Sequence, residues 1–178
     1  MRIKMNLSAK EQGGKALNKR IAVYPGSFDP PTAGHLNIVK RGTEIFDQVI
    51  VAVSQSTSKK YLFSTEERVE LWRKLLKRIP RARVESFSGL LVNYVESKGT
   101  KIILRGLRNV TDFEYEIQMA ITNKALKPRL ETVFIMTEGT YSHLAASLIK
   151  EIVMMGGKVT GMVPPEVEKE LKRKLRAK

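Results

Sequence analysis

The sequence predicts an α/β fold in which a doubly wound, parallel five-stranded sheet is followed by a C-terminal helix. Three observations carry this. From Ile21 onward, short β-rich runs alternate with helical patterns. The β-rich runs are almost continuously apolar, as suits strands covered on both faces. The chain of 178 residues is 42% hydrophobic, enough for one sizeable core, and no shift in composition marks a second domain. A β-α-β-α alternation favours parallel strands joined by helical crossovers.

Taken in order, the first strand spans Ile21–Tyr24 and leads through a loop to a helix over Leu36–Phe46. A second strand, Val49–Ser54, precedes a helix over Thr65–Arg78 that Ser64 and Glu67 open with capping-box spacing. Strand Arg83–Phe87 and helix Leu90–Ser97 follow, with Gly99 standing where that helix should stop. Strand Lys101–Leu104, helix Phe113–Leu126 and strand Thr132–Met136 complete the sheet. A helix over Ser142–Met155 ends before Gly156, and Pro164-Pro165 sets off a last helix, Glu166–Leu175, whose basic end complements the helix dipole. Residues 20–178 form the domain, and residues 1–19 are expected to be a flexible basic extension. In such sheets ligands bind beyond the carboxyl ends of the strands, so the loops after each strand are the places to look for chemistry.

Composition narrows the chemistry. Without cysteine there are no disulfides, thiolate nucleophiles or cysteine-bound zinc, and His35 and His143 are the two histidines. No apolar run reaches the roughly 18–20 residues that cross a bilayer, and the N-terminus lacks a secretion signal, so a soluble cytoplasmic protein is expected. The net charge of +14 raises the possibility of nucleic-acid binding. Residues 1–20 hold six Lys/Arg against one acid, and residues 166–178 six against three, so more than half of the excess lies in the two ends. Solvated basic tails explain that distribution without a partner.

Three loops stand out. The first strand runs into Tyr24-Pro25-Gly26-Ser27-Phe28-Asp29-Pro30-Pro31-Thr32-Ala33-Gly34-His35. Gly26 and Gly34 let the backbone approach a ligand, a helix start offers N–H groups to an anion, and His35 adds a side-chain donor. On its own, His35 reads as a helix-start histidine satisfied by nearby backbone. Ser56-Thr57-Ser58-Lys59-Lys60 follows the second strand and puts Lys59 or Lys60 within reach of a phosphate, although a charged loop is usually only solvated. After the fourth strand, Arg105 and Arg108 bracket Gly106-Leu107, where planar guanidinium groups can hold phosphate by paired hydrogen bonds. Asp112 and Glu116 share one helix face there, and Asp112 is a candidate N-cap. No G-x-G-x-x-G follows a strand, which disfavours a plain dinucleotide site.

The T-x-G-H quartet ending at His35 resembles the nucleotidylyltransferase signature. With STSKK, LFSTEER, GLL and ILRGLRNVTDFEYEIQMA, the chain from about Arg20 onward resembles the bacterial phosphopantetheine adenylyltransferases. That resemblance implies a Rossmann-like domain that transfers the adenylyl group of ATP to 4′-phosphopantetheine, with Mg²⁺ accompanying ATP. It implies that His35 stabilises the transition state, supported by Lys59 and Arg108, and that Ser27, Phe28, His35, Gly106, Leu107, Arg108 and Glu116 meet ATP. Ser27, Lys59, Leu91 and Arg105 would hold 4′-phosphopantetheine. The segment Tyr141-Ser142-His143-Leu144-Ala145-Ala146-Ser147 matches the second ATP motif with alanines where relatives carry serines, which implies altered affinity rather than lost activity. The resemblance also implies a homohexamer and feedback binding of coenzyme A. A different acceptor, such as nicotinate mononucleotide, and a nucleic-acid binder on an inactive fold are the two rival readings.

Overall fold

The computed structural model describes residues 19–55 and 60–176, so residues 1–18 of the expected extension and Ser56–Lys59 of the second loop lie outside the described residues. Strands β1 (Ile21–Gly26), β2 (Gln48–Ser54), β3 (Ala82–Phe87), β4 (Ile102–Leu107) and β5 (Glu131–Met136) form one parallel sheet in the order β3-β2-β1-β4-β5. Helices α1 (Ala33–Ile45) and α2 (Thr65–Leu76) lie on one face, and α3 (Leu91–Ser97) and α4 (Val110–Leu126) on the other. Helices α5 (Ala146–Met154) and α6 (Pro165–Arg176) build a third cluster with Phe63 and Leu71 beside α2. This is the doubly wound architecture with a final helix that the alternation predicts. Among the described residues, no helix is long and apolar enough to cross a membrane.

β2 shows why the strands read as unbroken apolar runs. Val49, Val51 and Val53 pack toward Ile38, Val39 and Trp72, while Ile50 and Ala52 pack toward Val23, Val92, Val95 and Ile103. Side chains alternate across a strand, so a strand buried on both faces needs apolar residues at every position.

The strand order reverses direction between β1 and β4, and the pairing there is short. β1 pairs with β2 along its whole length, yet with β4 only through Ala22↔Ile102 and Val23↔Ile103. The carboxyl ends of β1 and β4 therefore part, which opens a crevice at the switch point. Pro25 sits in this stretch. Its carbonyl faces the β4 side and accepts a hydrogen bond from Arg105 Nη1 (2.6 Å), so the N–H that proline lacks falls where the ladder has already ended.

Several boundaries differ from the sequence reading. β4 continues to Leu107, so Arg105 and Gly106 lie on the strand rather than after it. α1 begins at Ala33, not Leu36, because Thr32 and His35 form a capping box that encloses the first turn. α4 begins at Val110 because Asn109 is its N-cap, accepting from Asp112 N (2.8 Å). Asp112, the expected cap, instead occupies the first turn. The helix expected from Ser142 starts at Ala146, preceded by a short turn at Gly139–Tyr141. Ser142 Oγ donates to Gly139 O (2.8 Å) and closes that turn rather than capping a helix. The capping box at Ser64–Glu67 and the left-handed Gly99 (φ 67°) and Gly156 (φ 81°) beyond α3 and α5 stand where the sequence places them.

Candidate active site

A cleft of about 370 Å³ occupies the crevice between β1 and β4, walled by the loop into α1, the start of α4 and the start of α5. Its first wall is braced from behind. Asp29 is 5% exposed and accepts hydrogen bonds from Leu62 N, Phe63 N (both 2.9 Å) and Lys150 Nζ (2.8 Å). Arg68, 1% exposed, donates to Ser27 O (2.7 Å) and Ser54 O (3.0 Å) and stacks on the Tyr61 ring. These bonds tie the ends of β1 and β2 together and satisfy carbonyls that the loop leaves unpaired. Phe28 adopts φ 50°, a left-handed conformation unfavourable for a bulky residue. Its ring is buried edge-on against Tyr24, His35 and Trp72, which holds the conformation.

His35 makes the backbone contacts of a helix-start histidine and also borders the cleft. Its Nδ1 accepts from Thr32 N (3.0 Å), and its own N donates to Thr32 Oγ1 (3.2 Å). With Nδ1 accepting, the neutral ring carries its proton on Nε2, and the ring borders the cleft. Burial, reinforced by the nearby Arg108 and Arg105 charges, pushes its pKa down to about 4. His35 is thus a neutral hydrogen-bond donor at physiological pH. The α1 N-terminus itself has less to offer a ligand than the sequence suggests. Ala33 N donates to Met162 O (3.0 Å), and His35 N is taken by Thr32.

Arg105 and Arg108 repeat one arrangement. Arg105 donates through Nε to Glu116 Oε2 (2.6 Å), through Nη2 to Glu116 Oε1, and through Nη1 to Pro25 O (2.6 Å). Arg108 donates through Nε to Asp112 Oδ2 (2.7 Å), through Nη2 to Asp112 Oδ1 (2.9 Å), and through Nη1 to Leu144 O (2.8 Å). Each guanidinium is gripped on one side by a carboxylate of α4 and on another by a backbone carbonyl. One N–H on each terminal nitrogen remains for a ligand in the cleft that both arginines line. Burial alone would lower the Arg105 pKa, but Glu116 outweighs it, so the net shift is upward. The hydrogen bonds from Arg108 hold Asp112 below the usual carboxylate range. Glu116, expected to meet ATP, lines the cleft with both carboxylate oxygens engaged by Arg105.

The third wall is the start of α5. Ala145 is its N-cap and makes no side-chain capping bond; the first helical bond runs from Ile149 N to Ala145 O (3.0 Å). The first-turn N–H groups therefore stand uncapped beside Ala145, Ala146 and Ser147, which line the cleft with Leu144. An adjoining recess holds Lys60 and Lys150 with Ser27 and Ser147. Lys150 lies three residues past Ser147, one turn along α5, a spacing that could have marked it in the sequence. Leu91 lines a second recess of about 180 Å³ with Tyr115 and Met119, joined to the cleft through Pro25, Gly26, Arg105 and Glu116.

Of the expected site residues, Ser27, Phe28, His35, Arg105, Gly106, Arg108, Glu116, Leu144, Ala145, Ala146 and Ser147 come together at the cleft. Leu107 does not line it, because its side chain is buried. Tyr141 packs into the α5–α6 cluster, Ser142 closes its own turn and His143 is exposed, and none of the three lines the cleft. Lys59 lies outside the described residues.

Residues 23–152 match the cytidylyltransferase-like family model. The chain is 52% identical over 156 residues to the phosphopantetheine adenylyltransferase of Clostridium novyi (strain NT), a match covering 88% of this chain and 97% of that relative. Against the protein of the same name from Carboxydothermus hydrogenoformans, identity is 50% over 155 residues, covering 87% and 96% of the two chains. Against that from Dictyoglomus turgidum it is 51% over 157 residues, covering 88% and 98%. With a parallel sheet parted at its switch point and an arginine-lined cleft there, the chain belongs to the phosphopantetheine adenylyltransferase family of cytidylyltransferase-like proteins.

Proposed function

We propose that this chain transfers the adenylyl group of ATP to 4′-phosphopantetheine, forming dephospho-CoA and pyrophosphate, in the cytoplasm. The observation that carries the site assignment is the convergence, at one cleft, of a neutral His35, two carboxylate-braced arginines and an uncapped helix start. The chemistry asks for little more. A phosphate monoester loses its second proton near pH ~6, so the acceptor is mostly a dianion at neutral pH and needs no strong base. The protein must align two polyanions and stabilise charge on the α-phosphate and the departing pyrophosphate.

His35 Nε2–H donates to the phosphoryl group in flight. Arg108 and the α5 N-terminus hold the nucleotide phosphates, and Arg105 holds the acceptor phosphate, with the pantetheine arm entering the recess beside Leu91. Lys59 joins as a second cation for the acceptor phosphate. Attack is direct and in line, without a covalent enzyme intermediate. The three cleft carboxylates are already engaged, Asp29 by Lys150, Asp112 by Arg108 and Glu116 by Arg105, so they offer no ready ligand set for Mg²⁺. The ion would travel on the ATP phosphates.

The subunits assemble into a homohexamer. Supporting this, α4 exposes Phe113, Tyr115, Met119, Ile121 and Leu126, and a helix apolar around much of its girth calls for a partner. Coenzyme A, which contains the reaction product, would compete for the same cleft. The decisive experiment is pyrophosphate release from ATP and Mg²⁺ with and without 4′-phosphopantetheine, in wild type and His35→Ala. Acceptor-dependent release that drops at least about a hundredfold in the variant, with KM little changed, is expected. Release with nicotinate mononucleotide instead would transfer the assignment to another acceptor.

A further inference from the structure

Tyr24 belongs to none of the roles assigned so far. It is 4% exposed and stands in β1 at the point where that strand leaves β4 and the cleft begins. Buried tyrosine hydroxyls ordinarily find a partner. Among the described residues, this one makes no hydrogen bond to protein. The fully buried unpartnered side-chain atoms are Asn37 Oδ1 and Trp72 Nε1, so the Tyr24 hydroxyl is open, and the space it opens onto is the cleft. Gly106 of β4 is a neighbour: a Cβ there would lie 3.7 Å from the hydroxyl, an ordinary contact, and would be crowded instead by Ile38, whose Cγ1 would be 2.8 Å away. The ring is fixed by the edge-on Phe28 (5.2 Å between centroids), which also packs on His35 (5.1 Å), so one ring braces both donors. Burial holds the phenol protonated well above its ordinary range despite the Arg105 and Arg108 charges nearby.

We propose that the Tyr24 hydroxyl is a ligand contact, donating a hydrogen bond to an oxygen of the phosphoryl group as it passes from ATP to the acceptor. This rests on the adenylyl-transfer reading above. A phosphoryl oxygen is an acceptor and a neutral phenol a donor, and His35, braced against the same phenylalanine, supplies the neighbouring donor. Packing alone does not explain the hydroxyl, because phenylalanine would fill the same space.

Tyr24→Phe removes only the oxygen. Its melting temperature without ligand should equal or exceed that of wild type, while kcat for acceptor-dependent pyrophosphate release falls about 10- to 100-fold and both KM values stay within about twofold. A variant with wild-type kcat and KM overturns the proposal. Absence of pyrophosphate release by the wild type would overturn the adenylyl-transfer reading instead. In that case calorimetry with Mg-ATP decides: weaker binding by Tyr24→Phe supports a nucleotide contact, and equal binding overturns it. If Tyr24→Phe does not fold, 3-fluorotyrosine labelling replaces it. A ¹⁹F resonance of residue 24 that shifts with ATP supports the contact, and one that does not move overturns it.

Discussion

Asp112 holds Arg108 from behind, at the edge of the cleft. The fork from Nε and Nη2 to the carboxylate fixes the guanidinium plane, and the bond to Leu144 O sets its tilt. Asp112→Ala is therefore expected to raise KM for ATP and lower kcat, while Arg108→Ala and the double variant differ by less than about twofold, because residues acting as one unit are not additive. Steady-state kinetics on the four proteins checks this; independent, multiplying losses would refute it. His35 makes a separate prediction. Its pKa near 4, against an ordinary 6.5, means that the folded state disfavours the proton. The contribution to stability is complete above pH 6.5 and is lost as pH falls from 6.5 toward 4. In long-range ¹H–¹⁵N spectra, the imidazole lost in His35→Ala should stay in the Nε2–H form down to about pH 5. A ring titrating at its ordinary value would contradict the neutral-donor role. T-x-G-H drew attention to His35; its protonation state was not legible there, since it depends first on burial in the fold and then on the charges of Arg108 and Arg105, some seventy residues away in the chain.

At the scale of elements, the start of α5 lacks a side-chain cap. Ala145 has the extended backbone of an N-cap (φ −110°, ψ 133°) but no oxygen with which to cap. Ala145→Ser is expected to stabilise the ligand-free protein by about 0.5–2 kcal/mol. Thermal or urea unfolding measures it, and an unchanged midpoint would show that the first turn is already satisfied. Boundaries were the least legible feature of the sequence, for one recurring reason. α1 and α4 each begin three residues early because a polar side chain, Thr32 or Asn109, caps a turn that carries no apolar periodicity. α5 begins late because Ser142 bonds within its own turn. Periodicity reports the buried face of a helix, whereas ends are decided by single hydrogen bonds.

For the molecule as a whole, the apolar surface of α4 predicts self-association. Light scattering should give six times the chain mass of 20.1 kDa, and Ile121→Lys should shift the protein toward smaller species while its far-UV circular dichroism is unchanged. A monomer in the unmutated protein would leave that surface for another partner. The sequence by itself determined the class of fold, because β2 is apolar at alternate positions toward both faces and strands alternate with helices of ordinary length. It pointed to anion chemistry as well, since Gly26, His35, Arg105 and Arg108 stand at or just beyond the carboxyl ends of β1 and β4, where this architecture binds ligands. Only the tertiary structure decided which neighbours finish the site. Asp29 meets Lys150, Arg68 meets Ser27, and Tyr24 faces the gap beside Gly106. These pairs are distant in sequence, and what brings them together is the order in which the strands pair, which no local pattern encodes.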